Sequence, residues 1–197
     1  MAVRYLNAVV EGIADQAVAL ALARATGYSL RAVYVKRGKD QIDRRLPAYV
    51  QAARFGYWLV IRDLDHDATC APELLARLCP ARPPGLQVRI AVREVEAWLL
   101  ADRESMASYL GLPVAVVPAR PDELESPKAA LVQLARRSRR RELRRDLVPT
   151  EDSSASVGPA YSARIGEFAT RHWKPRAGAH ASPSLARAVA ALDDWPL

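Results

Sequence analysis

The sequence predicts an α/β fold, with a central, mostly parallel sheet flanked by helices and a helical C-terminal extension. Short apolar runs of strand length alternate with segments of helical apolar spacing through the first half of the chain. Such alternation favours parallel strands joined by right-handed helical crossovers. Half of the 197 residues are hydrophobic, which suits a single domain with a sizeable core.

Four strands are predicted, each a short apolar run bounded by polar or turn residues. They cover residues 3–10, 31–36, 57–61 and 86–92. Helices are predicted between them over residues 15–25 and 41–54, with a short helix beginning near Glu73. One or two helices follow from Glu94 and end at Gly111, because glycine commonly ends a helix.

The second half of the chain is predicted to be helical. After a Pro-containing loop, an Arg-rich helix is expected from about residue 127 to residue 145, then a polar break over residues 150–159 and two more helical stretches. We therefore expect residues 1–112 to form the sheet-bearing core. Residues 113–197 are expected to form a helical extension packed on it as one compact unit.

Cysteine content and hydropathy argue against several classes of protein. Cys70 and Cys79 have neither the spacing of a disulfide framework nor that of a Cys-x-x-Cys zinc site, which indicates a reducing, cytoplasmic setting. No apolar run approaches membrane-spanning length, and the N-terminus lacks the plan of a signal peptide, so no membrane partner is expected. The absence of Walker A and Gly-x-Gly-x-x-Gly motifs leaves binding of ATP or NAD by this chain unsupported.

Acidic residues follow three of the four predicted strands. Glu11 follows the first strand, Asp63 and Asp65 follow the third, and Glu94 and Glu96 follow the fourth. The carboxyl ends of parallel strands meet at one edge of a sheet, so these side chains are expected to share a cleft. Crowded carboxylates repel one another unless a cation compensates, and Mg²⁺ prefers such oxygen ligands.

Each acidic motif taken alone has an ordinary structural explanation. Glu11 fits a solvated turn or a helix start, where acids are favoured. Asp63 and Asp65 fit turn and N-cap positions ahead of the short helix. Glu94 and Glu96 fit the first turn of a helix. Only the joint placement of these residues at successive strand ends favours a metal site.

Two of these segments resemble a known family pattern. VVEGIAD after the first strand and VIRDLDHD at the end of the third resemble the TOPRIM signature of topoisomerases, DnaG-type primases and related nucleases. Within that group, the chain most resembles small bacterial TOPRIM-like proteins of unknown function related to overcoming-lysogenization-defect (OLD) nucleases. That likeness is carried by REVEAWLLAD after the fourth strand, SPK around Lys128 and the tail SPSLARAVAAL. The resemblance implies a TOPRIM-like, metal-binding core over residues 1–112.

The resemblance also implies roles for individual residues. Asp63 and Asp65 would hold Mg²⁺ or Mn²⁺, with two ions bound in all. Glu11 would act as the acid/base or contact a metal, and Lys128 would face the scissile phosphate. Taken alone, Lys128 is also explained as a surface lysine near a helix start. A second metal position would be completed by Asp15 and Glu96, with Glu94 as a further candidate ligand.

The basic charge of the chain is concentrated in one segment. The net charge is +7, and residues 136–145 contribute +6 of it through seven arginines and one glutamate. Such a cluster suits a polyanionic backbone, which makes nucleic acid the expected partner, DNA more than RNA. A solvated helix face or a surface for an acidic protein explains it equally well. The arginines concerned are Arg136, Arg137, Arg139, Arg140, Arg141, Arg144 and Arg145.

The leading functional hypothesis is a Mg²⁺- or Mn²⁺-dependent endonuclease of phage defence, which hydrolyses phosphodiester bonds in DNA or RNA. Because full OLD proteins fuse this domain to an ATPase, the resemblance implies a separately encoded ATPase partner. The main alternative is a catalytically silent TOPRIM-like module that binds nucleic acid or the ATPase. A haloacid-dehalogenase-like phosphatase is disfavoured, because that family places its nucleophilic aspartate where this chain has Glu11. The sequence does not determine the oligomeric state, and a homo-oligomer is one of the possibilities.

Overall fold

A computed structural model of the protein describes residues 4–195. Four strands form one sheet: β1 (Arg4–Val10), β2 (Tyr28–Val35), β3 (Trp58–Asp63) and β4 (Leu86–Ala91). Their order in the sheet is β2-β1-β3-β4, and every neighbouring pair is parallel. The predicted α/β class is confirmed, with a Rossmann-like arrangement in which helices connect the strands.

Helices flank this sheet. Those of the first half are α1 (Ile13–Ala25), α2 (Lys39–Ala52), α3 (Ala71–Leu78), α4 (Val95–Ala101) and α5 (Arg103–Leu110). Those of the second half are α6 (Pro127–Arg136), α7 (Arg141–Leu147), α8 (Tyr161–Arg171), α9 (Pro175–Gly178) and α10 (Pro183–Asp193). Two 3-10 turns, Val114–Val116 and Pro121–Glu123, lie between α5 and α6. Over residues 4–195, no helix is long and apolar enough to cross a membrane.

Strand β3 extends further than the sequence pattern predicts. The predicted strand ends at residue 61, whereas Arg62 and Asp63 also pair with β4, opposite Ile90 and Ala91. The polar character of these two residues led to their assignment to the loop. Asp63 is therefore the last residue of a strand, held by sheet pairing.

The Arg-rich helix predicted over residues 127–145 is wrong as a single helix, because it is two helices, α6 and α7. The break lies at Ser138, whose buried hydroxyl donates to the Leu110 carbonyl oxygen (2.6 Å) and accepts from the Arg140 N–H (3.1 Å). A serine that bonds the backbone in this way offers an alternative to continuing the helix. The chain after residue 160 likewise forms three helices, α8, α9 and α10, where two were expected.

The two faces of the sheet have separate hydrophobic cores. The larger one contains Leu6, Ala8 and Val10 of β1 together with side chains from α1, α4 to α8 and α10. The smaller one contains Val9 and lies beneath α2 and α3 on the other face. Neighbouring residues of β1 therefore point to opposite faces, as a pleated strand requires. Side chains from both sides of the expected boundary at residue 112 share the larger core.

Helix α4 is fixed in place by the C-terminal helices. The indole N–H of Trp98 donates to Ser184 Oγ of α10 (2.7 Å), and that of Trp173 donates to the Trp98 carbonyl oxygen (3.1 Å). Both tryptophans are buried, and a buried indole N–H needs such a partner. The anchoring matters for function because α4 begins at the carboxyl end of β4 and carries Glu96.

Gly85 precedes β4 and lies against the backbone that precedes β3. A Cβ atom on Gly85 would be 2.1 Å from the Ala53 carbonyl oxygen and 2.7 Å from that of Gly56. We expect Gly85→Ala to lower the free energy of unfolding by about 1–3 kcal/mol, because the backbone must shift to admit the methyl group. Gly56→Ala is the matched control, since nothing lies within 4 Å of a Cβ there. Urea unfolding followed by circular dichroism measures both, and equal midpoints for the two variants would contradict the prediction.

Candidate metal centre

The carboxyl ends of β1, β3 and β4 bring their acidic residues together at one edge of the sheet. Glu11 directly follows β1, Asp63 ends β3, and Glu96 lies in the first turn of α4 after β4. The Asp63 N–H donates to Glu11 Oε1 (3.1 Å), so the loop after β1 touches the end of β3. Glu11 and Asp63 are therefore in contact, as the sequence predicts.

The Asp63 carboxyl group is the centre of this cluster. Its Oδ1 accepts a hydrogen bond from the Val95 N–H at the start of α4 (2.9 Å). Burial raises its pKa well above the usual range, and the charges of four neighbouring carboxylates raise the pKa further. These neighbours are Asp15, Glu96, Glu11 and Asp65. Four acids therefore lie close enough to Asp63 for their charges to act on its carboxyl group.

Glu11 and Asp15 line the cluster from the β1 side. Burial raises the pKa of Glu11 to about 7, although the hydrogen bond from Asp63 opposes the rise. Asp15 Oδ2 accepts from the Gly12 N–H (2.7 Å), so this carboxylate also caps α1. Burial raises the pKa of Asp15, while the hydrogen bond from Gly12 and the positive charge of Lys128 oppose the rise. Asp15 thus combines the structural role of a helix cap with membership of the cluster.

Glu96 is a buried carboxyl group with one oxygen left without a partner. Its side chain is nearly inaccessible, with the residue 2% exposed. Oε1 accepts from the Tyr161 hydroxyl of α8 (3.1 Å), but Oε2 has no hydrogen-bond partner. Burial raises the pKa of Glu96 to about 7. Buried polar atoms are normally satisfied, so Oε2 marks a place where a cation would find a ligand.

Lys128 places a positive charge among these acids. Its Nζ lies 3.4 Å from Glu94 Oε1 and 3.6 Å from Glu96 Oε1. Burial alone would lower the pKa of Lys128, but the carboxylates of Glu96, Glu94 and Asp63 outweigh burial and raise it. Glu94 also accepts from the Lys128 N–H at the start of α6 (2.8 Å), which makes Glu94 a cap of that helix. Lys128 is therefore part of the cluster and not a free surface lysine.

Asp65 has a strained backbone and a side chain bound to a lysine. Among residues 4–195 it is the one non-glycine residue with positive φ (47°), a conformation that aspartate tolerates better than most residues. Its Oδ2 accepts from Lys39 Nζ (2.9 Å), and its N–H donates to the Arg93 carbonyl oxygen (2.8 Å). Strained residues of this kind concentrate at functional sites.

A second charged network beside the acids escaped the sequence analysis. Arg62 is buried, and its guanidinium pairs with Asp43 (2.9 Å) and Asp67 (2.6 Å). Lys39 joins Asp67 (2.8 Å) to Asp65. Lys39 was open to prediction, because it begins α2 just after the carboxyl end of β2, at the same edge of the sheet. Tyr161 gave no such signal, because it comes from α8, far along the chain.

The donors fit a hard divalent cation in chemical type, but their present arrangement does not form a ready site. Over the described residues, no three or more His, Cys, Asp or Glu side chains are grouped so as to hold a metal ion. The ammonium groups of Lys39 and Lys128 occupy carboxylate oxygens that a metal would need. The crowded carboxylates with raised pKa values and the unpartnered Oε2 of Glu96 still fit Mg²⁺ or Mn²⁺ in donor chemistry. A metal would bind in competition with the two lysines.

The predicted arginine cluster lies on the helices that follow α5. Six of its seven arginines are exposed and Arg144 is partly buried. Arg140 donates to the Ser108 carbonyl oxygen near the end of α5 (3.2 Å), and Arg145 pairs with Asp146 (2.9 Å). In the described part of the chain, no hydrogen bond or ion pair joins these arginines to the acidic cluster. Some of these arginines thus bind neighbouring groups of the protein itself. Binding of nucleic acid by the cluster stays a prediction.

The chain matches no protein-family model, no curated protein and no solved structure. The resemblance to TOPRIM proteins therefore stays a prediction that rests on the residues quoted above. What the fold adds is the position of some of those residues, since the Asp63 N–H donates to Glu11 and the charges of Asp15, Asp65 and Glu96 act on Asp63 at the edge of the sheet.

The raised pKa of Glu96 makes the stability of the metal-free protein depend on pH. The folded pKa of about 7 lies above the ordinary value of 4.5, so between these values the folded state holds a proton that the unfolded state has lost. The stabilising contribution is complete below about pH 4.5 and is lost as the pH rises to about 7. The free energy of unfolding of the wild type should therefore fall between pH 5 and pH 8. In Glu96→Gln, whose side chain stays uncharged, we expect this fall to be about 1–3 kcal/mol smaller.

Urea midpoints measured in EDTA at the two pH values provide this comparison. Glu104→Gln is the matched control, because Glu104 is exposed on α5 and should follow the wild type. If the stability of Glu96→Gln falls in parallel with that of the wild type, ionisation of the buried Glu96 does not destabilise the fold.

The ion pair between Lys39 and Asp65 is expected to weaken metal binding. Lys39→Met would release Asp65 Oδ2 and remove a positive charge beside the acids. We expect Mn²⁺ to bind about three- to tenfold more tightly, which corresponds to the strength of a partly exposed ion pair. Isothermal titration with Mn²⁺ alone measures the change. Lys174→Met, at an exposed lysine outside the cluster, should leave the affinity unaltered, and equal affinities for all three proteins would exclude competition by Lys39.

Proposed function

We propose that this protein is a Mg²⁺- or Mn²⁺-dependent phosphodiesterase that cuts nucleic acid at the acidic cluster around Asp63. The observation that carries the proposal is the gathering of five carboxyl groups near the ends of three strands, one of them with a buried oxygen that has no partner. Carboxylates from Asp63, Asp65, Asp15 and Glu96 would hold the metal. Bound metal ions supply an activated water and stabilise the charge on the phosphoryl oxygens.

Two residues of the chain suit the proton and charge transfers of such a reaction. Glu11 has a pKa of about 7, so near neutral pH it can both accept and donate a proton. Lys128 keeps its proton, because the surrounding carboxylates raise its pKa. Its ammonium group would stabilise negative charge that develops on the phosphate. Glu11 is therefore the proposed acid/base, and Lys128 the proposed electrostatic group.

The biological setting of the proposal rests on the resemblance to OLD-related TOPRIM proteins. It makes DNA the preferred substrate over RNA, phage defence the process, and a separately encoded ATPase the protein partner.

A second candidate function is a catalytically silent module that binds nucleic acid or the ATPase. The observation that favours it is the neutralisation of the acids by the protein itself. Lys39 binds Asp65, and Lys128 lies between Glu94 and Glu96, so the cluster has internal counter-ions. In this function the acids and lysines would serve as a polar core at the edge of the sheet.

Cleavage of labelled single-stranded DNA, duplex DNA and RNA with Mn²⁺ or Mg²⁺ distinguishes the two functions. We expect metal-dependent cleavage by the wild type and at least about a hundredfold loss in Asp63→Asn, because the cluster loses its central charge. Asparagine keeps an oxygen for the Val95 N–H, so the fold should survive. Asp65→Asn is the companion variant, since asparagine tolerates the positive φ at this position.

Glu104→Gln serves as the exposed control and should cleave like the wild type. Equal cleavage by Asp63→Asn and wild type would overturn the proposed active site. Binding of nucleic acid without cleavage under any metal condition would favour the silent module.

A further inference from the structure

A groove lined by Arg89 and Arg187 runs along the outer edge of β4, and Arg82 lies in the loop before this strand. This strand ends the sheet, and α3 and α10 lie on either side of its edge. Between them is a small cavity of about 140 Å³, lined by Pro72 and Leu75 of α3, Arg89 of β4, and Ser184 and Arg187 of α10. The groove belongs to a different part of the surface from the arginine cluster on α6 and α7.

Arg89 has an unsatisfied donor in this groove. Its Nε is buried without a hydrogen-bond partner, while its Nη1 donates to the Arg187 carbonyl oxygen (3.3 Å). Burial lowers the pKa of Arg89 to about 10, and the positive charges of Arg82 and Arg187 add to this effect. A buried donor on a charged group is unfavourable unless something accepts from it.

No acid offsets these three charges within the described residues. Arg82, Arg89 and Arg187 form no ion pair there. Arg62, which is buried, behaves differently from the partly buried Arg89, because Arg62 is paired with two aspartates. An anion would stabilise like charges of this kind that lie close together. Phosphate is a suitable anion, because the planar guanidinium group of arginine can donate two parallel hydrogen bonds to its oxygens.

The groove leads towards the acidic cluster. A larger cavity of about 660 Å³ shares Pro72 and Arg187 with it and extends to His66 and Arg93. His66 lies in the loop after β3, and Arg93 in the loop after β4, which are the loops that bear Asp65 and Glu94. A chain bound along this path would therefore pass from the three arginines to the edge where the acids meet.

The larger cavity is also lined by three acids, which differ in their hydrogen bonds and ion pairs. Asp122 accepts from the Ser182 hydroxyl (2.6 Å) and the Ser184 N–H (2.9 Å). Glu123 pairs with Arg120 (3.0 Å). The remaining acid of that cavity, Glu125, is exposed to solvent. Arg187 therefore shares the larger cavity with acids, whereas the lining of the smaller cavity contains arginines and no acid.

We propose that the groove lined by Arg89 and Arg187 binds a backbone phosphate of a single nucleic-acid strand, and so positions a neighbouring phosphodiester at the acidic cluster. This inference rests on the proposed nuclease function and adds to it the site at which the substrate strand is held. A phosphate in the cavity would contact the guanidinium groups of Arg89 and Arg187, which line it, and would offset their positive charge. Nucleic acid is favoured over an acidic peptide because the groove continues to the edge of the sheet where phosphodiester cleavage is proposed.

The test is binding of a fluorescent 12-nucleotide single-stranded DNA in EDTA, followed by anisotropy. We expect Arg89→Met and Arg187→Met each to bind about tenfold more weakly, with a salt dependence reduced by about one counter-ion. Arg44→Met, at an exposed arginine of α2, is the matched control and should bind like the wild type. Arg187 is exposed, so its variant remains informative should Arg89→Met not fold.

Several outcomes would overturn the inference. Wild-type affinity in both groove variants would show that the strand binds elsewhere. Absence of binding by the wild type would show that the protein has no site for such a strand. Displacement of the DNA by a poly-glutamate peptide of equal charge, at equal affinity, would make the groove a peptide site. Failure of the groove leaves metal-dependent cleavage by the wild type intact. Failure of the nuclease function instead abolishes cleavage while the arginine variants still differ in binding.

Discussion

The constraint on which this structure depends is the mutual repulsion of carboxylates around Asp63. Parallel pairing of β1, β3 and β4 forces their acidic ends together, and each acid then needs a donor or a counter-charge. The start of α4 supplies an N–H to Asp63, α8 supplies a hydroxyl to Glu96, and α6 supplies the Lys128 ammonium. Helices α6 and α8, which pack through the larger hydrophobic core, thus also supply partners to the acids, and one oxygen of Glu96 remains without a partner.

Two groups of positively charged side chains in the molecule have different surroundings. Lys39, Lys128 and Arg62 are each matched to nearby aspartates or glutamates, so they hold the acidic edge together. The arginines along β4 have no such partners among the described residues, although one of them is partly buried. Natural proteins rarely leave buried charge uncompensated, so this contrast directs attention to the edge of β4 and less to the longer run of arginines on α6 and α7.

The sequence was sufficient for the features that follow from local pattern. Strand periodicity gave the parallel sheet, and the rule that strand ends meet at one edge brought Glu11 and Asp63 together. Features that depend on distant contacts were out of reach. The hydroxyl of Ser138 breaks the Arg-rich helix because it meets Leu110, and Tyr161 reaches Glu96 from α8, neither of which leaves a mark in local composition. The functional roles of the acids, and the likeness to TOPRIM proteins, remain predictions.

The contact between Tyr161 and Glu96 has a consequence for how the protein is made. All five acids are encoded before residue 97, whereas the lysine and the tyrosine that steady Glu96 come from α6 and α8. During synthesis the ribosome would thus expose the acidic edge well before its steadying groups exist. A nascent chain at that stage would already pair Asp65 with Lys39, whereas the carboxyl group of Glu96 would gain its positive neighbour and its hydroxyl partner only as α6 and α8 dock.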